Sequence, residues 1–279
     1  PRDRAGDADP VTTAAPPTTS RSRRPAKPGR PKLVYVGLLG FVAITLWAGW
    51  LTGFDASKIV ENWDRGISIV LEVLDINWAF FPRTVDPFIE TFQIAIIAAI
   101  VGCVVALPFA FIASRVTAPG RWWMTLDRWV LNVIRALPDL LYAMIFVAAL
   151  SVGPTAGILA LILFNIGVMA KLLSETVDAV DTGPMEAAQA AGATHSQTVR
   201  SSVLPQVLPN YIAFALYIFE LNIRASTVVG LVGAGGIGML LSAQLARFNF
   251  GNIGLIILEI FVIVLLIELA SNALRRRLV

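Results

Sequence analysis

Hydrophobic residues along this chain gather into six long runs, at Leu33–Leu51, Pro87–Ala113, Leu126–Leu150, Thr155–Leu173, Leu208–Val229 and Asn252–Ala273. At a rise of about 1.5 Å per residue, each run predicts a helix able to cross about 30 Å of hydrocarbon, some with tilt. Polar sequence collects at residues 1–32, Thr52–Asp86 and Ser174–Gln206. The pattern predicts an all-α integral membrane protein with six transmembrane helices and both termini on one side.

Composition agrees. Of the 279 residues, 56% are apolar and only 15% charged, with a mean hydropathy of +0.72. A soluble domain carries roughly 25% charged residues, so a water-soluble fold is excluded first. The net charge of +3 is unevenly spread: residues 1–32 hold eight Lys/Arg against three Asp, and the remainder hold fourteen against sixteen. That asymmetry argues against nucleic acid, which needs basic residues on a folded face, and for an orientation signal beside a membrane. With the N-terminus cytoplasmic, the tail, Arg115, Arg121, Arg128, Lys171, Arg200 and Arg275–Arg277 fall inside, and only Lys58, Arg65, Arg83 and Arg247 fall outside. Both termini are therefore expected in the cytoplasm. A lone Cys103 excludes a disulfide framework, and a lone His195 leaves a histidine-rich metal site without ligands.

Residues 1–32 contain seven of the sixteen prolines and no apolar periodicity, so they are expected to form a disordered, basic cytoplasmic tail. The run after it is longer than the roughly 7–15 residues of a signal-peptide core and ends in Trp47 and Trp50, which predicts a retained first span. Residues 33–83 thus hold that span and an external segment. In the segment Ile59, Val60, Trp63, Ile67, Val70, Leu71 and Leu74 recur with helical spacing among acidic residues, which predicts an amphipathic helix along the outer interface.

The cytoplasmic loop 174–206 carries the most information. Thr182 to Gly192 reads as a short helix, with Pro184 in the first turn, four alanines, and Gly192 as a left-handed stop. Thr194 and Gln197 form a T-x-x-Q capping box, so a second helix is expected from there to Val203-Leu204, ending before Pro205. A face of Ala187, Ala188, Ala190 and Ala191 with Glu186 as its lone charge lets another surface approach closely. The alternative is a plain helical hairpin joining two spans.

Glu186-Ala187-Ala188, three residues, Gly192, then Leu204-Pro205 at the matching distance resembles the E-A-A-x3-G-x9-I-x-L-P loop of ABC importer permeases; the sequence departs from it at Ser202, where the pattern has isoleucine. The resemblance covers most of residues 84–279, a permease core, and implies the type I, methionine-permease-like fold. Glu186, Ala187, Ala188, Ala191, Gly192, Leu204 and Pro205 are then expected to couple to a cytoplasmic ATPase dimer. Thr227 to Gly238 resembles the methionine-type and phosphonate-type branches, and Arg135-Ala136-Leu137-Pro138-Asp139 with Asn222-Ile223-Arg224-Ala225-Ser226 points to the phosphonate type. The resemblance implies a homodimer in a bacterial inner membrane, importing phosphonate- or phosphate-like anions delivered by an extracytoplasmic binding protein. It implies no catalytic residue and no cofactor in this chain, since ATP and Mg belong to the ATPase; consistently, the sequence has no G-x4-G-K-[ST] P-loop.

Other features carry two readings each. Gly233 to Gly238 satisfies G-x-G-x-x-G, yet lies between spans rather than in a βαβ unit, so a dinucleotide site is rejected. Gly235 and Gly236 either allow helices to approach or line a path for an anion. Arg224, with Asn222, Ser226 and Thr227 beside it, is a pathway candidate, but Glu220 stands at i−4; Arg135 has Asp139 at i+4. Either arginine is thus explained by a structural pair. His195 has no carboxylate spaced for a catalytic role and reads as a surface residue. Asn165, Glu259 and Glu268 are further polar residues in the spans, and Pro108 and Pro138 predict kinks. A methionine-type or other small-solute permease is the nearest alternative; a membrane enzyme or secondary transporter would need an acid/base constellation or inverted repeats.

Overall fold

The computed structural model describes residues 32–276; residues 1–31 of the expected disordered tail and residues 277–279, with Arg277, lie outside the described residues, and Lys32 opens the first helix. The described chain is helical, without a strand, and falls into two compact units divided between Asn62 and Trp63. The first holds α1 (Lys32–Leu51) and the short α2 (Ser57–Glu61).

The second unit begins with α3 (Trp63–Leu74) and a 3-10 turn (Trp78–Arg83), followed by α4 (Val85–Ala113), α5 (Arg121–Ala136) and α6 (Asp139–Leu150). Then come α7 (Pro154–Asp178), α8 (Gly183–Ala190), α9 (His195–Thr198), a π turn (Val199–Val203), α10 (Leu204–Gly230), α11 (Gly236–Ala246) and α12 (Phe250–Arg275). Its heart is the pairing of α4 with α7, across which α10 packs. On α4 the buried face is a ladder of small residues, Ala95, Ala98, Ala99, Gly102, Cys103, Ala106 and Ala110. Lipid tails are as apolar as leucine, so membrane helices gain by close backbone approach, which small side chains permit. At Gly102 the approach is close, since an added Cβ would lie 2.5 Å from Asn165 Cβ. Asn165 is fully buried and its amide donates to Ala98 O at 2.9 Å, a packing role rather than a path-lining one.

The expected amphipathic helix is present in part, as α3; Ile59 and Val60 fall in the separate α2. α3 packs on α12 through half-buried Ile69 and Val73, where Gly251 and Gly254 let the chains close. Ile67, Val70, Leu71 and Leu74 form its exposed apolar face, as expected of a helix lying in a membrane interface.

Two expectations need correction. The third run is not one continuous helix from Leu126 to Leu150: it breaks at Leu137-Pro138 into α5 and α6, bent by 83°, and is apolar and long enough to cross a membrane only as the two together. Pro138 brings no N–H and forces Leu137 into an extended conformation (φ −93°, ψ 132°), so the helix cannot continue. Five described helices are long and apolar enough to cross a membrane, six if the bent pair counts as one span. By contrast Pro108 leaves α4 unbroken. Nor does the second loop helix stop before Pro205; α9, the π turn and α10 form one helical path of 36 residues, from His195 to Gly230. Pro205 lacks the N–H that an α-helix would need for the carbonyl four residues back, and the widened turn precedes it, Leu204 N–H donating to Val199 O five residues back.

Candidate functional site

The loop helix α8 is built as the sequence predicts. Gly183 N–H donates to Asp181 Oδ1 at 2.9 Å, and Glu186 N–H to Thr182 O at 2.9 Å, opening the helix. Its end is a Schellman motif: Gly192 N–H reaches Gln189 O at 2.9 Å and Ala193 N–H reaches Ala188 O at 3.0 Å, with Gly192 at φ +85°. Met185 is buried among Leu173, Val177 and Val203 and anchors the helix to the bundle. Glu186, Ala187, Ala190, Ala191 and Gly192 are exposed. Ala188 is half-buried, so the exposed alanine face is narrower than the four-alanine face expected from sequence: one turn away from the anchoring methionine, it leans inward.

The second limb is tied to the first. Thr194 and Gln197 make the expected capping box, Thr194 N–H donating to Gln197 Oε1 at 2.8 Å. Ser202, where the family pattern has isoleucine, is buried and donates to Pro184 O at 3.0 Å, holding α8 against the π turn; neighbouring Val203 supplies the apolar packing. Leu204 and Pro205 are exposed at the start of α10.

Three residues escape a sequence reading. Gln206 brackets the loop base, its Nε2 donating to Asp181 O at 3.2 Å while its Oε1 accepts from Asp181 N–H at 3.1 Å. His195 is exposed, as expected, and its Nε2 also lies 3.0 Å from Thr117 O, which makes it a strut between the loop and the α4–α5 turn. Asp178, at the end of α7, accepts from Ser114 Oγ and Arg115 N–H, both at 2.6 Å, and pairs with Arg128 at 3.2 Å. Their partners lie tens of residues away, so local spacing gives no hint of them. Together they gather the ends of α4, α5 and α7 around the base of the loop.

The pathway candidates lie along α10 and the glycine segment. Asn222 is fully buried with its amide 3.3 Å from Ala95 O, and Ser226 is buried with its hydroxyl on Ile223 O at 3.1 Å. Half-buried Thr227 also donates to Ile223 O, at 3.2 Å. Gly235 and Gly236 are buried against Glu90 and Thr91 of α4, and Ile237 N–H donates to Thr91 Oγ1 at 2.8 Å. Arg224 makes the expected pair with Glu220, and the pair is larger than foreseen: Arg275 reaches the other carboxylate oxygen at 3.2 Å. The Glu220 side chain is 6% exposed and that of Arg224 47%, so the carboxylate is buried while about half of the arginine side chain is not. Arg135 and Asp139 do not pair. The break at Pro138 separates them, and Asp139 Oδ1 accepts from Leu140 N–H at 2.9 Å instead. Glu259 accepts from Thr84 Oγ1 at 2.8 Å, joining α12 to the start of α4.

Comparison with known proteins supplies the lineage. Residues 106–279 match the family described as binding-protein-dependent transport system inner membrane component. The chain is 37% identical over 243 residues to the phosphite transport system permease protein PtxC of Stutzerimonas stutzeri, covering 85% of this chain and 88% of that protein. The chain belongs to this family of inner membrane components. It is also 41% identical over 192 residues to the phosphate-import permease protein PhnE of Mycolicibacterium smegmatis, covering 68% of this chain but 36% of that longer protein. Among solved structures, the MetNI methionine ABC transporter in an inward-facing conformation matches with a TM-score of 0.64 at 24% identity, over 73% of this chain and 100% of that one, a likeness of fold. This inner membrane component is thus a multi-pass membrane protein with the methionine-permease fold.

Within that family fold, the glycine segment is where α10 and α11 touch backbone to backbone. A Cβ at Gly238 would fall on the Thr227 carbonyl and lie 2.9 Å from Gly230 Cα. Gly238→Ala is therefore expected to lower the unfolding temperature in detergent, at a cost of about 1–3 kcal/mol for an overpacked site. Gly66→Ala, in open space on α3, is the control and should leave stability unchanged or slightly raised. Equal melting of the Gly238 variant and the wild type would remove the packing role.

Proposed function

We propose that this protein is the membrane-spanning subunit of an ATP-driven importer for phosphorus oxyanions, and that α8 is the handle by which an ATPase partner moves it. The reading rests on one observation above all: a short helix, anchored by Met185 and locked at both ends, that turns Glu186, Ala187, Ala190 and Ala191 outward. Small side chains at close approach suit a docking groove. Membership in a binding-protein-dependent family and relatives named for phosphite and phosphate transport support the substrate class.

In this reading two copies of the chain face one another in a bacterial inner membrane, both termini cytoplasmic, with an ATPase dimer beneath and an extracytoplasmic binding protein above. The ATP and Mg sites belong to the ATPase. Glu186, Ala187, Ala188, Ala191 and Gly192, with Leu204 and Pro205 at the head of α10, form the coupling element. Closure of the ATPase displaces α8, and the displacement reaches α10 through the rigid helical path and α4, α5 and α7 through His195, Asp178 and Gln206. The partner's differential affinity for the two conformations then shifts their populations, which is all that a ligand can do to an equilibrium. Asn222, Arg224, Ser226, Thr227, Gly235 and Gly236 are the proposed neighbours of the path.

The test is ATP-dependent uptake in proteoliposomes holding this chain, its ATPase and its binding protein. Phosphite, phosphate or a simple phosphonate is expected to be taken up, with excess methionine failing to compete. Methionine uptake unaffected by phosphorus oxyanions would replace the substrate assignment; no uptake of any solute with all partners present would sink the importer reading.

A further inference from the structure

At the end of the bundle that carries the coupling loop, a cavity of about 250 Å³ opens between α5 and α7, lined by Arg128, Asn132, Arg135, Lys171 and Ser174. Three cations meet here. Two are offset by carboxylates, Arg128 by Asp178 at 3.2 Å and Lys171 by Glu175 at 2.7 Å. Arg135 is not: among the described residues no hydrogen bond or ion pair engages its guanidinium, and none engages the Asn132 amide. The cavity therefore carries an uncompensated positive charge and spare donors. Its shape also favours a seated side chain, since the Arg135 stem runs over Gly167 of α7, where an added Cβ would lie 2.8 Å from Arg135 Cγ.

A second, independent observation concerns the wall. Helix α5 contains Arg121, Asp127, Arg128 and Arg135, too many charges to cross a bilayer alone, and it is bent 83° from the apolar α6. Its outer face is Trp122, Leu126, Trp129 and Val133, spaced on one side of a helix and all exposed, while Leu131 on the other side is buried. A helix with tryptophans and leucine on one side and arginines flanking them belongs in the interface between headgroups and acyl chains. The cavity thus opens beside the tryptophan-bearing first half of α5, at the α7 end that holds Asp178, while the Arg135 stem over Gly167 reaches toward the middle of α7.

We propose that this cavity binds the phosphate group of an acidic phospholipid, with Arg135 and Lys171 as its charge partners, Asn132 as a hydrogen-bond donor, and the apolar face of α5 lying along the acyl chains. A free phosphorus oxyanion offers the same tetrahedral charge to the same donors; the interfacial helix is what selects the lipid. The leaflet follows from the cytoplasmic orientation proposed above, whereas binding itself does not depend on it. The site links lipid to the coupling machinery, because Arg128 holds both the cavity and Asp178 at the loop base.

Native mass spectrometry of the full-length chain released from detergent, titrated with phosphatidylglycerol or phosphatidylcholine, tests this. Phosphatidylglycerol should be retained in preference, and Arg135→Gln/Lys171→Gln should weaken its retention by roughly tenfold or more, as expected for two basic residues near a lipid surface. Phosphatidylcholine retention should not change. Glu175→Gln, which frees Lys171, should strengthen phosphatidylglycerol retention, a gain that misfolding cannot produce. Unchanged retention in the double variant would overturn the proposal. Displacement of phosphatidylglycerol by millimolar inorganic phosphate would also overturn it, assigning the cavity to a free oxyanion.

Discussion

Gly192→Trp is expected to abolish ATP-driven uptake while leaving the chain folded in the membrane. Gly192 closes α8 in the left-handed region at φ +85°, and a side chain there costs about 1–2 kcal/mol. That strain alone loosens the end of a helix that Met185 and the Ser202–Pro184 hydrogen bond still hold. The larger effect is steric. No atom lies within 4 Å of the position a Cβ would take, so an indole projects from the same surface as Ala191 into the space a docked partner would fill. Co-purification with the ATPase should fall by roughly tenfold or more, since even about 1.4 kcal/mol of lost binding gives that factor. Gly192→Ala carries the backbone strain without the bulk and should keep part of both activities. A Gly192→Trp variant that binds the ATPase and transports normally would mean that this face is not where the partner sits.

What makes that prediction possible was legible in the sequence because it is local. Pro184, Gly192, Thr194 and Gln197 act on backbone groups within a few residues of themselves, so their spacing reports the helix, its stop and the next cap. The apolar runs were equally readable, since membrane thickness sets their length. Sequence spacing failed where a covalent detail overrode a run or where partners were distant. Pro138 predicts a kink, and the chain turns through 83° there, because Leu137 before it is extended and the helix restarts only at Asp139. The i,i+4 rule found Arg224–Glu220 because α10 is continuous there, and misled at Arg135–Asp139 because no helix joins them. Arg275, Gln206, His195 and Asp178 take partners tens of residues away, and their pairing exists only in three dimensions. The glycines after α10 signalled close approach correctly; the surfaces they approach, Thr227, Thr91 and Glu90, required the fold.

Glu220→Leu is expected to destabilise the protein more than loss of either arginine it holds. The carboxylate is almost fully buried and joins α10 to the end of α12, accepting from Arg224 on one oxygen and Arg275 on the other. Removing it leaves two cations without a counter-charge. Fully buried pairs broken in this way cost about 3–5 kcal/mol, and the partial exposure of both arginines lowers the expectation to about 2–3 kcal/mol, read as a fall in unfolding temperature in detergent. Arg224→Ala should cost less than about 1 kcal/mol, since half of that side chain is exposed and Arg275 remains to balance Glu220. The double variant should therefore be more stable than the two single losses added together, by a coupling of about 0.5–1 kcal/mol, the low end for residues in one network. Strict additivity would mean that the ion pair contributes nothing. The same variants separate the two roles of Arg224. A residue that meets the transported anion should, when changed to alanine, weaken uptake of the phosphorus oxyanion with an unfolding temperature close to wild type. A residue that only pairs with Glu220 should change uptake no more than it changes stability, and Arg224 would then have no part in the path.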